Sequence, residues 1–387
     1  MKTHILVQPY MRSKGENVEL PGTDPERYQQ LLERTTEQMK FADDNGYAGF
    51  CMTEHHFQVE GIETTTNPLL WNLHIANNTR NLKVGQVGMA LTAHHPMRLA
   101  EDLAMLDHMT NGRLFCGFVR GNTPRWLNNI SQYLDITTTQ SDRSKADARN
   151  RRLMEESWQV VKKAWTNQTF SHYGEFWDIP PLDTHWPFEP TRQWGGKGAL
   201  DDNDMLRKTG IVPRPMPRDG RDFPEIYVPF SWSMETAKFW AKEGAKLVAF
   251  VGKEEFIDMT MDIYIEECHR HGHTDRTTGN TLVLGGHLTI GSDEAQARSH
   301  YGDFEELFNA AYNTPPYNVP MGRVWKGTVN QVIDQVGRLR DKYAVEELVC
   351  WHHVGYFEQE EELQMLDNFA QVIKAFGPSE DKQAATA

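Results

Sequence analysis

Gly49-Phe50-Cys51-Met52 is a short apolar run, and Thr53-Glu54-His55-His56-Phe57 follows it without a break. A chain that ends a strand and at once presents a carboxylate and two imidazoles is placing titratable groups at the strand's C-terminal end. That is where parallel α/β barrels carry their chemistry. The pattern returns as His94-His95-Pro96 and as Trp351-His352-His353, each just beyond a strand-like run. Three His-His pairs so placed suggest a pocket whose rim carries imidazole.

Working outward, strand and helix signals alternate regularly. Ile5-Leu6-Val7 reads as a first strand. Asp24-Pro25-Glu26 then opens a helix, with an N-cap acid, proline at the first helical position and an acid in the first turn. Further strands are expected at 49–52, 82–88 and 114–119, with helices at 68–79 and from Pro96 to a stop at Gly112. Leu114 to Val119 is continuously apolar, as suits a strand covered on both faces. Residues 120–147 and 180–225 are irregular, with a helix expected at 154–165 between them. Strands five to eight are expected at 225–229, 246–251, 282–290 and 347–351, with helices at 233–243, 255–271, 293–309, 329–343 and 360–376. Eight strands alternating with helices predict a single (β/α)8 TIM barrel over residues 1–378, with long loop insertions after strands four, five and seven. Residues 379–387 are small and polar and read as a flexible tail.

Composition narrows the function. The chain has 387 residues, and 40 Lys+Arg against 54 Asp+Glu give a net charge of −14 without any basic block. That disfavours a phosphate-tracking nucleic-acid surface. No apolar run reaches the length of a membrane span, and the N-terminus lacks a signal-type apolar segment, so a cytoplasmic protein is expected. The four cysteines, Cys51, Cys116, Cys268 and Cys350, lie far apart and read as buried hydrophobes. The histidines come as His-His, not as His-x-His on one strand face, and no HExxH occurs, so no metal is expected. Gly-rich dinucleotide and GxSxG signatures are also absent from the sequence.

Several motifs taken together carry a family resemblance. They are Glu54-His55-His56-Phe57, Asn67-Pro68, His94-His95-Pro96-Met97-Arg98-Leu99-Ala100-Glu101-Asp102, Asn111-Gly112-Arg113-Leu114 and Val119-Arg120-Gly121. Their order and spacing resemble the bacterial luciferase-like flavin-dependent monooxygenases, including the luciferase α subunit and the diketocamphane monooxygenases. Phe170 to Trp177 and Trp194 to Lys197 are more similar to the latter group. The resemblance implies a TIM barrel that binds reduced FMN at its C-terminal mouth. It implies that dioxygen adds to the flavin to give a flavin peroxide, which oxygenates a small organic molecule by hydroxylation or Baeyer–Villiger insertion. A separate NAD(P)H:flavin reductase would supply the reduced FMN, and a homodimer is implied by analogy.

The residues offer matching roles. Arg120 supplies a guanidinium at a strand end, and Gly121 lets the main chain come close to an anion. Ser233 and Thr236 open a helix, whose free N–H groups favour a phosphate. By resemblance Arg120, Ser233 and Thr236 would hold the FMN phosphate, although Trp232 stands where the family has an acid. Met89 and Ala90, within Gly88-Met89-Ala90-Leu91, suit a flat apolar slot for the ring; ordinary barrel-end packing explains them equally well. Imidazole is the side chain whose unperturbed pKa lies nearest neutrality, so His55 suits proton handling. The resemblance places the catalytic histidine at His55 as well. Glu54 could orient its neighbours, but adjacent residues on an extended chain face opposite ways, so one of Glu54 and His55 is expected on the helix side. His56 and His95 read as support, and His352 and His353 as either pocket lining or exposed loop. The segment with Trp177, Trp186 and Trp194 reads as a lid or as an outer packing flap.

Two rival readings use the same scaffold. One is a deazaflavin-dependent oxidoreductase that transfers hydride without oxygen. The other is a non-catalytic luciferase-like partner subunit.

Overall fold

A computed structural model describes residues 1–121, 123–138, 141–218, 220–229, 233–315 and 317–377. Trp232 and the 379–387 tail lie outside the described residues. The chain forms β1 (Lys2–Pro9), α1 (Pro25–Asp44), β2 (Gly49–Met52), α2 (Pro68–Asn78), β3 (Lys83–Gln86) and β4 (Met89–Ala90). Next come α3 (Pro96–Met109), β5 (Leu114–Val119), α4 (Pro124–Ile130), α5 (Lys145–Thr166), β6 (His172–Tyr173), β7 (Asp178–Ile179) and α6 (Glu189–Trp194). They are followed by β8 (Ile226–Pro229), α7 (Met234–Lys242), β9 (Lys246–Ala249), α8 (Glu254–Arg270), α9 (Thr278–Thr281) and β10 (Leu282–Gly291). The chain closes with α10 (Glu294–Ala311), β11 (Val324–Thr328), α11 (Val329–Tyr343), β12 (Glu347–Val354) and α12 (Gln359–Ala375).

Two compact units divide these elements, one made of residues 1–88 with 226–387 and the other of residues 89–225. In the first, parallel pairings run β3-β2-β1-β12-β10-β9-β8, and β11 adds to the upper part of β10. With β5 as the further long parallel strand, the architecture is the expected (β/α)8 barrel. The strands are apolar on both faces because helices cover one side and the barrel interior the other. Caps fix where the helices start: the Asp24 carboxylate accepts from the backbone N–H of Glu26 at 2.9 Å, and Asn67 Oδ1 accepts from those of Leu69 and Leu70 at 3.1 Å.

The interior of the first unit is ionic near the N-terminal ends of its strands. Lys246 Nζ lies 2.7 Å from Glu347 Oε1, Tyr227 donates to Glu347 Oε2 at 2.8 Å, and His4 Nε2 stands 3.7 Å from that oxygen. Gly49 belongs to this layer by necessity, since a Cβ there would sit 2.6 Å from His4 Nδ1.

In the second unit α3 and α5 pack on an aromatic core. Phe118, Trp158, Trp165 and Phe223 form a mutually contacting group, and Trp165 Nε1 donates to the Ala100 carbonyl at 3.0 Å. Arg218 is tied to the buried Asp107 carboxylate at 2.7 Å, which anchors the irregular stretch before β8.

Several expectations need correction. Helix α5 begins at Lys145, capped by Ser144, so the first irregular stretch is shorter than its polar composition suggests. The segment 82–88 is divided: β3 stops at Gln86, and Met89–Ala90 forms a separate short strand. No insertion follows the fifth barrel strand, because α7 starts directly after residues 230–233; both irregular stretches precede β8. Strand β11, Val324-Trp325-Lys326-Gly327-Thr328, escaped detection because Lys326 and Gly327 break the apolar pattern. Among the described residues no helix is long and apolar enough to cross a membrane.

Candidate functional site

The loop from Thr53 to Asn67 leaves β2 at its C-terminal end. It is held by backbone bonds to the segment that continues β1: Met11 N–H donates to Gly61 O at 2.9 Å, Thr64 N–H donates to Pro9 O at 3.1 Å, and Tyr10 pairs with Ile62 in an antiparallel bridge. His55 N–H donates to Thr65 O at 2.9 Å, which folds the loop back on its own start. Glu63 sits at the return with φ +56°, a left-handed conformation that side chains other than glycine seldom adopt. Such geometry persists where surrounding bonds fix it, here Thr65 N–H to Glu63 O at 2.8 Å.

These bonds give His55 two partners. The Thr53 hydroxyl lies 3.0 Å from its Nδ1, and Glu63 Oε2 lies 3.4 Å from its Nε2. Glu54, which is buried, pairs instead with His56, Oε1 to Nε2 at 3.0 Å. The two neighbours therefore serve different pairs, as their alternation on the chain requires.

Glu63 opens onto a buried polar chain. The Glu63 charge bears on the buried phenol of Tyr312, just after α10. Tyr312 and Tyr10 hydroxyls are 3.0 Å apart, and the Tyr10 hydroxyl is 3.1 Å from His353 Nδ1. His353 Nε2 lies 3.4 Å from His287 Nδ1, and the His287 ring stacks on Trp351 with centroids 4.4 Å apart. Burial dictates the charge of this chain. It pushes both tyrosines well above their usual range, reinforced by the Glu63 charge. It lowers His353 to about 3, and burial with His353 alongside holds His287 well below the usual imidazole range.

The other sequence candidates fall in distinct places. His352 turns to the opposite face of β12 and bonds Gln38 Oε1 of α1 at 2.9 Å, so neither it nor His353 is exposed loop. His95 caps α3, accepting from Met97 N–H at 3.3 Å, and its ring meets Trp177 edge-on at 4.8 Å. His352 and His353 therefore do not face one rim together. Trp177 is buried and donates to Ser157 Oγ at 3.0 Å, whereas Trp194 is exposed.

Arg120 is engaged by the Asp147 carboxylate and by Ser141 Oγ, the latter at 2.8 Å. Gly121 has φ +83°, and a Cβ there would meet the Ala90 Cβ at 3.2 Å. Ala90 packs with Ala93, Trp126 and Leu127, and Met89 is equally buried. Ser233 caps α7, accepting from Thr236 N–H at 3.3 Å, while its hydroxyl donates to Glu235 at 3.2 Å. In the first unit, the Gln8 amide and the Thr65 hydroxyl are buried without hydrogen-bond partners among the described residues. Groups of that kind suit a polar ring with donors and acceptors on its edge, since an unpaired buried amide is costly. Among the described residues no cluster of three or more metal-type ligands occurs. A concavity of about 810 Å³ opens beside Met1, Lys2, Ala48, Arg340 and Glu346, at the N-terminal strand ends and away from His55.

Glu63, Tyr312 and His287 were not legible as site residues. Glu63 had one signal, as an acid in the same post-strand loop as His55; Tyr312 and His287 had none.

Comparison with known proteins places these features. The chain is 24% identical over 288 residues to 3,6-diketocamphane 1,6-monooxygenase of Pseudomonas putida, covering 71% of this chain and 65% of that one. It is 24% identical over 157 residues to the alkanal monooxygenase beta chain of Photorhabdus luminescens, covering 40% of this chain and 43% of that one. The chain thus spans less than two thirds of the length of these curated relatives. The monooxygenase RslO1 from Streptomyces bottropensis superposes with a TM-score of 0.72 at 18% identity, over 97% of this chain and 100% of that one. The FMN complex of the oxygenating constituent of 3,6-diketocamphane monooxygenase gives a TM-score of 0.66 at 19% identity, over 96% and 97% of the two chains. The luciferase-like monooxygenase family profile matches residues 18–349, and the chain belongs to that family.

Proposed function

We propose that this protein is the oxygenase component of a two-component, FMN-dependent monooxygenase acting on a small organic substrate. One atom of dioxygen enters the substrate by hydroxylation or Baeyer–Villiger insertion, the other leaves as water, and reduced FMN is oxidised. A separate NAD(P)H:flavin reductase supplies the reduced FMN, and the working form is a homodimer in the cytoplasm. The observation that carries this reading is the His55–Glu63 pair at the end of β2 in a chain of this family.

Reduced FMN, when bound, supplies the two electrons and the ring carbon at which dioxygen is activated. Arg120, Gly121, Ser233 and Thr236 are the proposed phosphate ligands, and Met89 and Ala90 the proposed ring contacts. Gln8 and Thr65 join them as polar partners for the ring edge, on the strength of their unpaired buried groups. Arg120 holds a carboxylate before it holds a phosphate, so an anion there competes with Asp147. His55, with Glu54 and His56 as the adjoining pair, takes and returns a proton while the buried surroundings limit water.

The test is turnover with reduced FMN, oxygen and a panel of carbonyl and heteroaromatic compounds, reading ¹⁸O incorporation from ¹⁸O₂. Incorporation of one labelled atom supports the proposal. Tight binding of a deazaflavin with no affinity for FMN overturns it, as does activity found only when a paralogous subunit is added.

A further inference from the structure

Glu63 lies near a run of buried polar groups: the Tyr312 and Tyr10 hydroxyls are 3.0 Å apart, the Tyr10 hydroxyl is 3.1 Å from His353 Nδ1, and His353 Nε2 is 3.4 Å from His287 Nδ1. The Glu63 charge bears on both phenols, which burial keeps protonated.

The Glu63 carboxylate faces Gln58 Nε2 at 3.5 Å and His55 Nε2 at 3.4 Å. A neutral His55 has one ring proton. On Nε2 that proton is shared with a carboxylate; on Nδ1 it would leave Nε2, a lone pair, pointing at negative charge. With the proton on Nε2, Nδ1 is free to accept from the Thr53 hydroxyl 3.0 Å away.

We propose that Glu63 is a positioning residue for His55: it holds the His55 ring proton on Nε2 so that His55 works through Nδ1. This rests on the reading of His55 as the proton-handling group. Proton transfer then occurs at Nδ1, with Thr53 as its resting partner, and Glu63 faces the imidazolium that forms. Glu54 and His56 stand next in sequence and form a pair of their own. The far end of the buried polar run is sealed by packing of His287 against Trp351, Phe304 and Phe308.

The experiment is ¹⁵N NMR of histidine-labelled, flavin-free protein at alkaline pH, where each ring carries one proton. Resonances are assigned by single His→Asn substitutions. The expected result is an Nε2–H tautomer for His55. Glu63→Gln, whose amide oxygen still accepts, keeps the His55 tautomer, while Glu63→Leu converts it to a mixture or to Nδ1–H. Thr53→Val leaves it at Nε2–H, and this arm decides the matter should Glu63→Leu not fold. An Nδ1–H signal from His55 in the unaltered protein overturns the proposal. So does a Glu63→Leu protein indistinguishable from the parent, or a tautomer switch in Thr53→Val. Because no flavin is present, lack of oxygenase activity leaves this result untouched, and a failed tautomer test leaves the oxygenase reading standing.

Discussion

His55 Nε2 stands 3.4 Å from Glu63 Oε2 although the loop between them must turn back on itself through a left-handed residue to bring them together. That pairing makes the end of β2 the place where altered side chains should change chemistry more than folding.

His55→Ala removes the proton-handling group but leaves Glu63 its Gln58 donor. Product formation should fall by about 10²–10⁴-fold, the usual range for a general acid or base. Hydrogen peroxide released per reduced FMN consumed should rise. A coupled assay of product against peroxide reads both, and unchanged coupling removes His55 from the reaction.

Arg120→Ala tests the phosphate assignment. Loss of a charge-assisted bond to a phosphate corresponds to about 1.5–3 kcal/mol, or roughly 10–100-fold in affinity. FMN should therefore bind more weakly by that factor, whereas riboflavin, which has no phosphate, should bind as before. Equal weakening for both would assign Arg120 to holding Asp147 alone.

Lys246→Met breaks the ionic layer inside the first unit. Burial by itself would raise the Glu347 carboxyl, but His4 and Lys246 together hold it well below the usual carboxylate range. Leaving that carboxylate buried without the Lys246 ammonium, with only the largely exposed Lys2 ammonium 3.4 Å away, should lower unfolding free energy by about 3 kcal/mol. Denaturant unfolding measures this. The double variant Lys246→Met with Glu347→Leu should recover part of the loss.

His353 predicts a pH dependence. Its folded value is about 3, lowered by burial, against about 6.5 in an unfolded chain. Below the unfolded value the unfolded state binds a proton that the folded state refuses, so stability falls with acid. His353 thus contributes fully above about pH 6.5 and progressively less down to about pH 3. His352, lowered to about 3 by burial, adds to the same slope. Replacement by His353→Asn should flatten the unfolding midpoint between pH 6.5 and 4 by roughly one proton's worth of slope.

The barrel was legible because its signals are local. Gly49–Met52 and Leu114–Val119 are bounded by turn residues, and Asp24-Pro25 and Asn67-Pro68 announce helix starts through caps that the structure retains. Helix α5 started earlier than read because Lys145 to Arg152 is mostly polar, and only its Ser144 cap marks the beginning. The site was half legible. His55 follows its strand directly, so one motif locates it. Its partners come from after β1, from the return of its own loop and from beyond α10, brought together by closure of the sheet. No periodicity in one segment reports that. The histidine pairs misled for the same reason: His352 and His353 are adjacent in sequence but lie on opposite faces of β12.

The ribbon joining Tyr10–Met11 to Gly61–Ile62 has a consequence for how this enzyme could be re-tooled. Because the histidine-bearing loop is stitched to the first strand, it behaves as masonry, not as a door. Its residues would have to be kept intact in any attempt to change substrate preference. Directed evolution should find its freedom elsewhere in the molecule, and libraries aimed at Gln58–Thr65 should return mostly dead clones.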